Sequence, residues 1–141
     1  MIKLICGEKG AGKTKKILDM ASDTAKISKG SVVFLDKDDS HKLSLFYKVR
    51  LNDMSEWRVA SDNELVAFIK GMLATNYDIT DIFVDGIVKI SGHPIEELEN
   101  FFGCLERVTA KTEVRPEVNV VLTISKDSSK LPDFLAKYEQ I

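Results

Sequence analysis

The sequence predicts an α/β fold, a three-layer αβα domain with a mostly parallel central sheet. Two observations predict it. Short apolar runs alternate with helix-period patterns along the whole chain, the signature of βαβ units whose sheet is covered on both faces. The first of those runs leads into a glycine-rich stretch that opens directly into a helical pattern. With 141 residues and no linker, repeat or low-complexity tract, residues 1–141 are expected to form one domain around one core.

The elements follow in order. Ile2 to Cys6 reads as a first strand. Lys13 to about Ser28 reads as a helix, with Ile17, Leu18, Ala21, Ala25 and Ser28 on one face and Gly30 as its stop. Val32 to Leu35 is a continuous apolar run, expected of a strand buried on both sides. Residues 36–60 carry no clear period and leave room for one or two short strands. Ser61 and Glu64 form a capping box before Leu65, Phe68, Ile69, Met72 and Leu73 at helical spacing. Ile82 to Asp85 reads as another strand. Pro94 suits the first position of a helix whose inner face is Ile95, Leu98, Phe102, Leu105 and Val108. Val118 to Ile124 is a fourth strand. Leu131 to Asp133 opens a last short helix with Phe134, Leu135 and Tyr138.

Composition narrows the function classes. Apolar residues make up 44% and charged residues 30%, which is ordinary globular usage rather than disorder. No apolar run approaches the roughly 20 residues of a membrane span, and the first apolar stretch is too short for a signal peptide. A cytoplasmic protein with no membrane association is the expectation. The net charge of −2 does not indicate nucleic-acid binding. Two cysteines, Cys6 and Cys104, lack metal-site spacing and are expected to be buried and reduced.

The chemistry concentrates in Gly7-Glu8-Lys9-Gly10-Ala11-Gly12-Lys13-Thr14, which fits G-x-x-x-x-G-K-[ST] at every required position. A polyphosphate needs backbone N–H groups turned inward, and glycines permit both the backbone angles and the close approach. The helix that opens at Lys13 would aim free N–H groups and its positive dipole end at the anion. Residues 7–15, through Ala11 and Lys15, are therefore the candidate phosphate-binding set. Lys13 would reach the outer phosphates, and the Thr14 hydroxyl would ligate Mg²⁺. Asp85 ends the strand Ile82-Phe83-Val84 and is the second candidate metal ligand. Asp81, at that strand's other end, is misplaced for ligand contact.

These residues resemble the P-loop NTPase superfamily over the whole chain. A separate strand between the loop and Asp85, and another after it, look like the RecA-like and AAA-like branch. The resemblance implies a P-loop NTPase fold, ATP and Mg²⁺ as ligands, and weak or partner-stimulated ATPase activity acting as a switch. In that branch a glutamate commonly follows the metal-site aspartate, whereas Gly86 stands here. RecA-like members instead place the carboxylate after the second strand, so Asp36 and Asp38 become candidate general bases alongside catalytic Lys13. Glu8 is a further candidate. Thr123 and Ser125 are similar to the polar sensor positions of the branch.

No arginine is nominated as a finger, and only four arginines accompany 16 lysines. His41 could sense a phosphate or lie on the surface, and His93 is expected to cap a helix. Trp57 could stack on a base or line the core's rim. No N/T-K-x-D motif is present, which favours ATP over GTP. At closer range the chain resembles short stand-alone bacterial P-loop proteins, some labelled twitching motility ATPases, although the histidine and aspartate boxes of those motors are not found. A small phosphotransferase and a non-hydrolysing nucleotide-binding module are the competing readings. The resemblance implies the nucleoside triphosphate as partner and leaves room for a protein partner or a second copy of the chain.

Overall fold

A computed structural model describes residues 1–141. Six strands form one all-parallel sheet. They are β1 (Ile2–Cys6), β2 (Ser31–Asp36), β3 (Val49–Asp53), β4 (Ile79–Val84), β5 (Asn119–Ile124) and β6 (Glu139–Gln140), in the spatial order β3-β2-β4-β5-β1-β6. Four α-helices connect them: α1 (Lys13–Ile27), α2 (Asp62–Thr75), α3 (Ile87–Ser91) and α4 (Glu99–Thr109).

The strand period of two explains the layers. Leu4, Val33, Leu35, Ile82, Val84, Val120 and Leu122 point to one face and pack with Leu65, Ile69 and Leu73 of α2 and Phe101, Phe102 and Leu105 of α4. Ile5, Val32, Phe34, Phe83 and Val121 point to the other, where Ile17, Leu18, Ala21 and Ala25 of α1 cover them. Burying a side chain of this size contributes about 1.5–3 kcal/mol. Phe101 and Phe102 meet edge to face with centroids 5.5 Å apart, an arrangement that adds to their area burial.

The capping box at α2 is present. Ser61 Oγ accepts from the Glu64 N–H at 3.1 Å, while Glu64 Oε1 accepts from the Ser61 hydroxyl and the Ala60 N–H. The stretch 36–60 holds one strand, β3, on the sheet's edge, within the one or two expected there. Three expectations are corrected. Pro94 precedes a 3₁₀ turn, Ile95–Glu97, and the α-helix proper starts only at Glu99. Ile95 and Leu98, three residues apart, satisfy a 3₁₀ repeat as well as an α one, so their burial did not distinguish them. The last helix is only a 3₁₀ turn, Asp133–Leu135, after which β6 pairs with β1. The cysteines are half-buried and free, on β1 and α4.

Because every strand runs the same way, the carboxyl ends of β1, β2, β4 and β5 share one edge. The connections that leave them, at 7–12, 37–48, 85–86 and from 125, collect there, where ligands of open α/β sheets bind. No helix is long and apolar enough to cross a membrane.

Candidate functional site

At that edge the chain encloses a cavity of about 410 Å³ with no hydrophobic residue in its lining. The size is ordinary for a small-molecule site, which spans roughly 300–1,000 Å³, but a polar lining of this kind is unusual for one. Its walls carry five lysines (Lys9, Lys13, Lys15, Lys37 and Lys89) against two carboxylates (Asp36 and Asp85). That excess of positive charge suits an anion.

The loop between β1 and α1 forms one wall. The Gly7 N–H donates to Ile124 O, so the loop leaves from the β1–β5 ladder itself. A Cβ at Gly7 would lie 2.9 Å from the Ala11 Cβ, so the loop closes more tightly than a side chain there permits. Gly10 and Gly12 sit at φ 88° and 86°, left-handed conformations that other residues adopt only at a cost. Gly12 caps α1 without a side chain, and the first turn holds no acidic residue. The N–H groups of Lys13, Thr14 and Lys15 find no acceptor in the chain, because the first α1 bond is Lys16 N–H to Gly12 O. Free N–H groups and the helix dipole together make a place for an anion. Lys13 Nζ donates to Glu8 O at 3.1 Å, folded back along the same loop.

The opposite wall is Asp85, 8% exposed just beyond β4. The Thr14 hydroxyl donates to Asp85 Oδ2 at 3.1 Å, although 71 residues separate the two in sequence. The Thr123 hydroxyl, on β5 between β1 and β4, donates to Asp85 Oδ1 at 2.7 Å and accepts from the Gly86 N–H at 2.7 Å. Gly86 takes φ 81°, which turns the chain straight from Asp85 into α3. Thr14 and Asp85 thus present oxygen atoms beside an open polar cavity. Oxygen-only ligands with room for water fit a hard divalent cation such as Mg²⁺.

Asp36 ends β2 and is 1% exposed. The Lys37 N–H donates to its Oδ1 at 2.8 Å, and its Oδ2 shares a 2.9 Å hydrogen bond with His41 Nδ1. Burial pushes the Asp36 carboxyl above the usual range, against the lowering effect of His41 and the Lys37 N–H. Ligand atoms of Asp36, His41 and Asp85 all lie within 4.8 Å of one another. Asp38 lies elsewhere. Its Oδ1 accepts from the Ser40 N–H and hydroxyl in a local turn, which holds its carboxyl below the usual range.

Of the loop residues nominated from sequence, Lys9, Gly10, Gly12, Lys13, Thr14 and Lys15 line the cavity. Gly7, Glu8 and Ala11 shape the loop behind it, and the Glu8 carboxylate lies 3.7 Å from Lys130 Nζ. Thr123 and Ser125 line the cavity as well. Lys37 and Lys89 were not anticipated. Lys37 gives no sequence signal beyond its place after Asp36, and Lys89 sits in a helix too short to show a period. His93 does not cap a helix; its Nδ1 shares a hydrogen bond with Asp62 Oδ1.

No protein-family model matches the chain, and no curated protein matches it.

Proposed function

We propose that the chain is a P-loop NTPase of the RecA-like kind that binds ATP with Mg²⁺, hydrolyses it slowly, and acts as a switch. The observation that carries the proposal is the Thr14–Asp85 hydrogen bond. It joins the hydroxyl that follows the loop lysine to the carboxylate at the end of a separate strand, and these are the two groups a phosphate-bound Mg²⁺ requires. The unpaired N–H groups of α1 and the lysine-rich lining supply the complementary half, the phosphate cradle.

Residues 7–15 bind the phosphate chain, and Lys13 leaves Glu8 O to meet its outer phosphates. Bound Mg²⁺ would offset the charge that develops on the phosphate oxygens. Thr123 fixes the orientation of Asp85. Asp36 holds His41 through Nδ1, which leaves Nε2 as the free ring nitrogen at the cavity, and in this reading the pair takes the proton of an attacking water. Asp36 acts mainly through His41, since both of its oxygens already accept bonds.

No arginine lines the cavity. An arginine finger contributes a factor of roughly 10³–10⁵ to rate, so turnover by the isolated chain is slow and a partner or second copy would raise it. The segments that follow Asp36 and Asp85 touch the outer-phosphate side, which makes them the responsive elements.

Calorimetry of ATP with Mg²⁺ on the wild type and on Lys13→Ala, followed by phosphate release from the same samples, tests this reading. Micromolar binding that disappears in Lys13→Ala, with slow release, is expected. Wild-type protein that binds no nucleoside triphosphate refutes it.

A further inference from the structure

A second cavity, of about 310 Å³, adjoins the first and shares Lys37 and Lys89 with it. Its third cation is Arg58. The remaining lining is an apolar floor of Met54, Val59, Ala60 and Ile90 with Ser55 beside it, and it contains no carboxylate. Lys37, Arg58 and Lys89 form no ion pair, and no side-chain hydrogen bond of theirs exists in the chain. Unpaired lysines on a surface are common. Three cations around one concavity, all unpaired while carboxylates are plentiful in the chain, are not explained by solvation of a single face.

The backbone supplies an independent observation. Arg58 has φ 55° and is the one non-glycine residue of the chain in a left-handed conformation. The turn that holds it is firmly built. Asp53 Oδ1 accepts from the Ser55 N–H, the Ser55 hydroxyl and the Glu56 N–H, while the Arg58 N–H donates to Ser55 O and the Val59 N–H to Met54 O. Met54, 1% exposed, roots the turn in the core, and its N–H donates to Asp36 O. Glycine is the favoured residue at such a position, and a long charged side chain there carries strain that serves no packing, since Arg58 is exposed. What the arginine adds is a guanidinium at the cavity mouth, a planar donor fork matched to phosphate oxygens.

We infer that this second cavity binds a small-molecule phosphomonoester, its phosphate held by Arg58, Lys37 and Lys89 and its organic body lying on Met54, Val59 and Ile90. The inference goes beyond the nucleotide reading and shares only two lysines with it. Since those lysines face both cavities, the ligand lies beside the outer-phosphate end of the first site, where a co-substrate or effector would be sensed.

The test uses the full chain and phenyl phosphate, a phosphomonoester with a compact apolar body. Trp57, the only tryptophan, adjoins Arg58 in sequence and stands 59% exposed, so its fluorescence reports on the turn. Amide shifts locate the ligand. Saturable binding with shifts at residues 54–60 and 89–90 is expected, with phenol, the same ring without phosphate, giving none. Arg58→Gly keeps the backbone conformation and should melt no lower than the wild type, yet weaken phenyl phosphate binding by roughly tenfold or more, the consequence of losing a charge-assisted fork. Unchanged affinity in Arg58→Gly, or shifts confined to residues 7–15, overturns the inference. A parallel ATP titration separates the two proposals. Binding of phenyl phosphate at residues 54–60 without ATP binding would refute the nucleotide reading alone, and the converse would refute this one alone.

Discussion

Thr123→Val is the most informative single change, because it alters the site without touching the loop or either proposed metal ligand. Valine fills nearly the same volume at a position 2% exposed, so packing is kept and only the hydroxyl is lost. Two hydrogen bonds disappear, one to Asp85 Oδ1 and one from the Gly86 N–H, both 2.7 Å long. A bond to a charged group contributes about 1.5–3 kcal/mol, and an orphaned, partly buried N–H costs about 1 kcal/mol or more. The expected loss of stability is therefore about 2.5–4 kcal/mol, a large part of the roughly 5–15 kcal/mol of a typical domain. Thr123→Ser keeps both bonds and gives up one methyl group, about 1 kcal/mol.

Urea denaturation measures these losses. Calorimetry with ATP, with and without Mg²⁺, measures the site. Removing the group that orients a metal ligand typically weakens metal-dependent binding by about 10- to 100-fold, so Thr123→Val should lose affinity only when Mg²⁺ is present. A valine variant within about 0.5 kcal/mol of wild type, or one that loses the same affinity with and without Mg²⁺, refutes the claim that Thr123 holds Asp85 in place.

Two further outcomes are expected elsewhere in the chain. Asp36→Asn should raise the urea midpoint at pH 7 while lowering ATP turnover. The folded-state carboxyl lies above its ordinary 3.8, so stability falls as pH rises from the ordinary value through the raised one; the gain from asparagine should then shrink in acid, and a destabilised variant at pH 7 would contradict this sign. Tyr138→Phe should cost about 1 kcal/mol and leave ATP binding unchanged, because it removes only the 2.6 Å bond from the tyrosine hydroxyl to Glu106 Oε1. That bond, ahead of Lys137, holds the Glu106 carboxyl below its usual range. The stability it contributes is present above the ordinary carboxylate value and lost on acidification, so the denaturation midpoints of the two proteins should converge at low pH.

The sheet was legible where the chain repeats a strong pattern. The run around Val32–Leu35 is apolar on both faces, as a strand under two helical layers must be, Ile2–Cys6 is apolar but for Lys3, and Ser61 with Glu64 announces α2. What escaped reading lacked length. Helix α3 has five residues and β6 has two, too few for any period to show. Strand β3 lies on an edge, where only Val49 is fully buried and the apolar signal is accordingly thin. The glycine-rich loop was legible because backbone geometry dictates its residues one by one. The partnership of Asp36 with His41 was not, because a side chain five residues away in an irregular turn can point anywhere until the turn is built.

The site also departs from what folding alone favours, and the departures coincide. Five lysines crowd one cavity, Asp36 is buried at a position that raises its carboxyl, and Arg58 occupies a glycine conformation at the adjoining mouth. The burial of Asp36 and the backbone of Arg58 each cost stability, and nowhere else in the chain does a non-glycine residue adopt a left-handed backbone. Sequences are locally consistent with their fold except where function demands otherwise, so two violations beside a lysine-lined cavity point to one edge of the sheet more firmly than either alone. The sign of the charge then selects the ligand. Lys15 pairs with Asp19 and Lys13 with Glu8 O, but Lys9, Lys37, Lys89 and Arg58 have no internal partner, and two adjoining cavities that share Lys37 and Lys89 suit anionic groups in both.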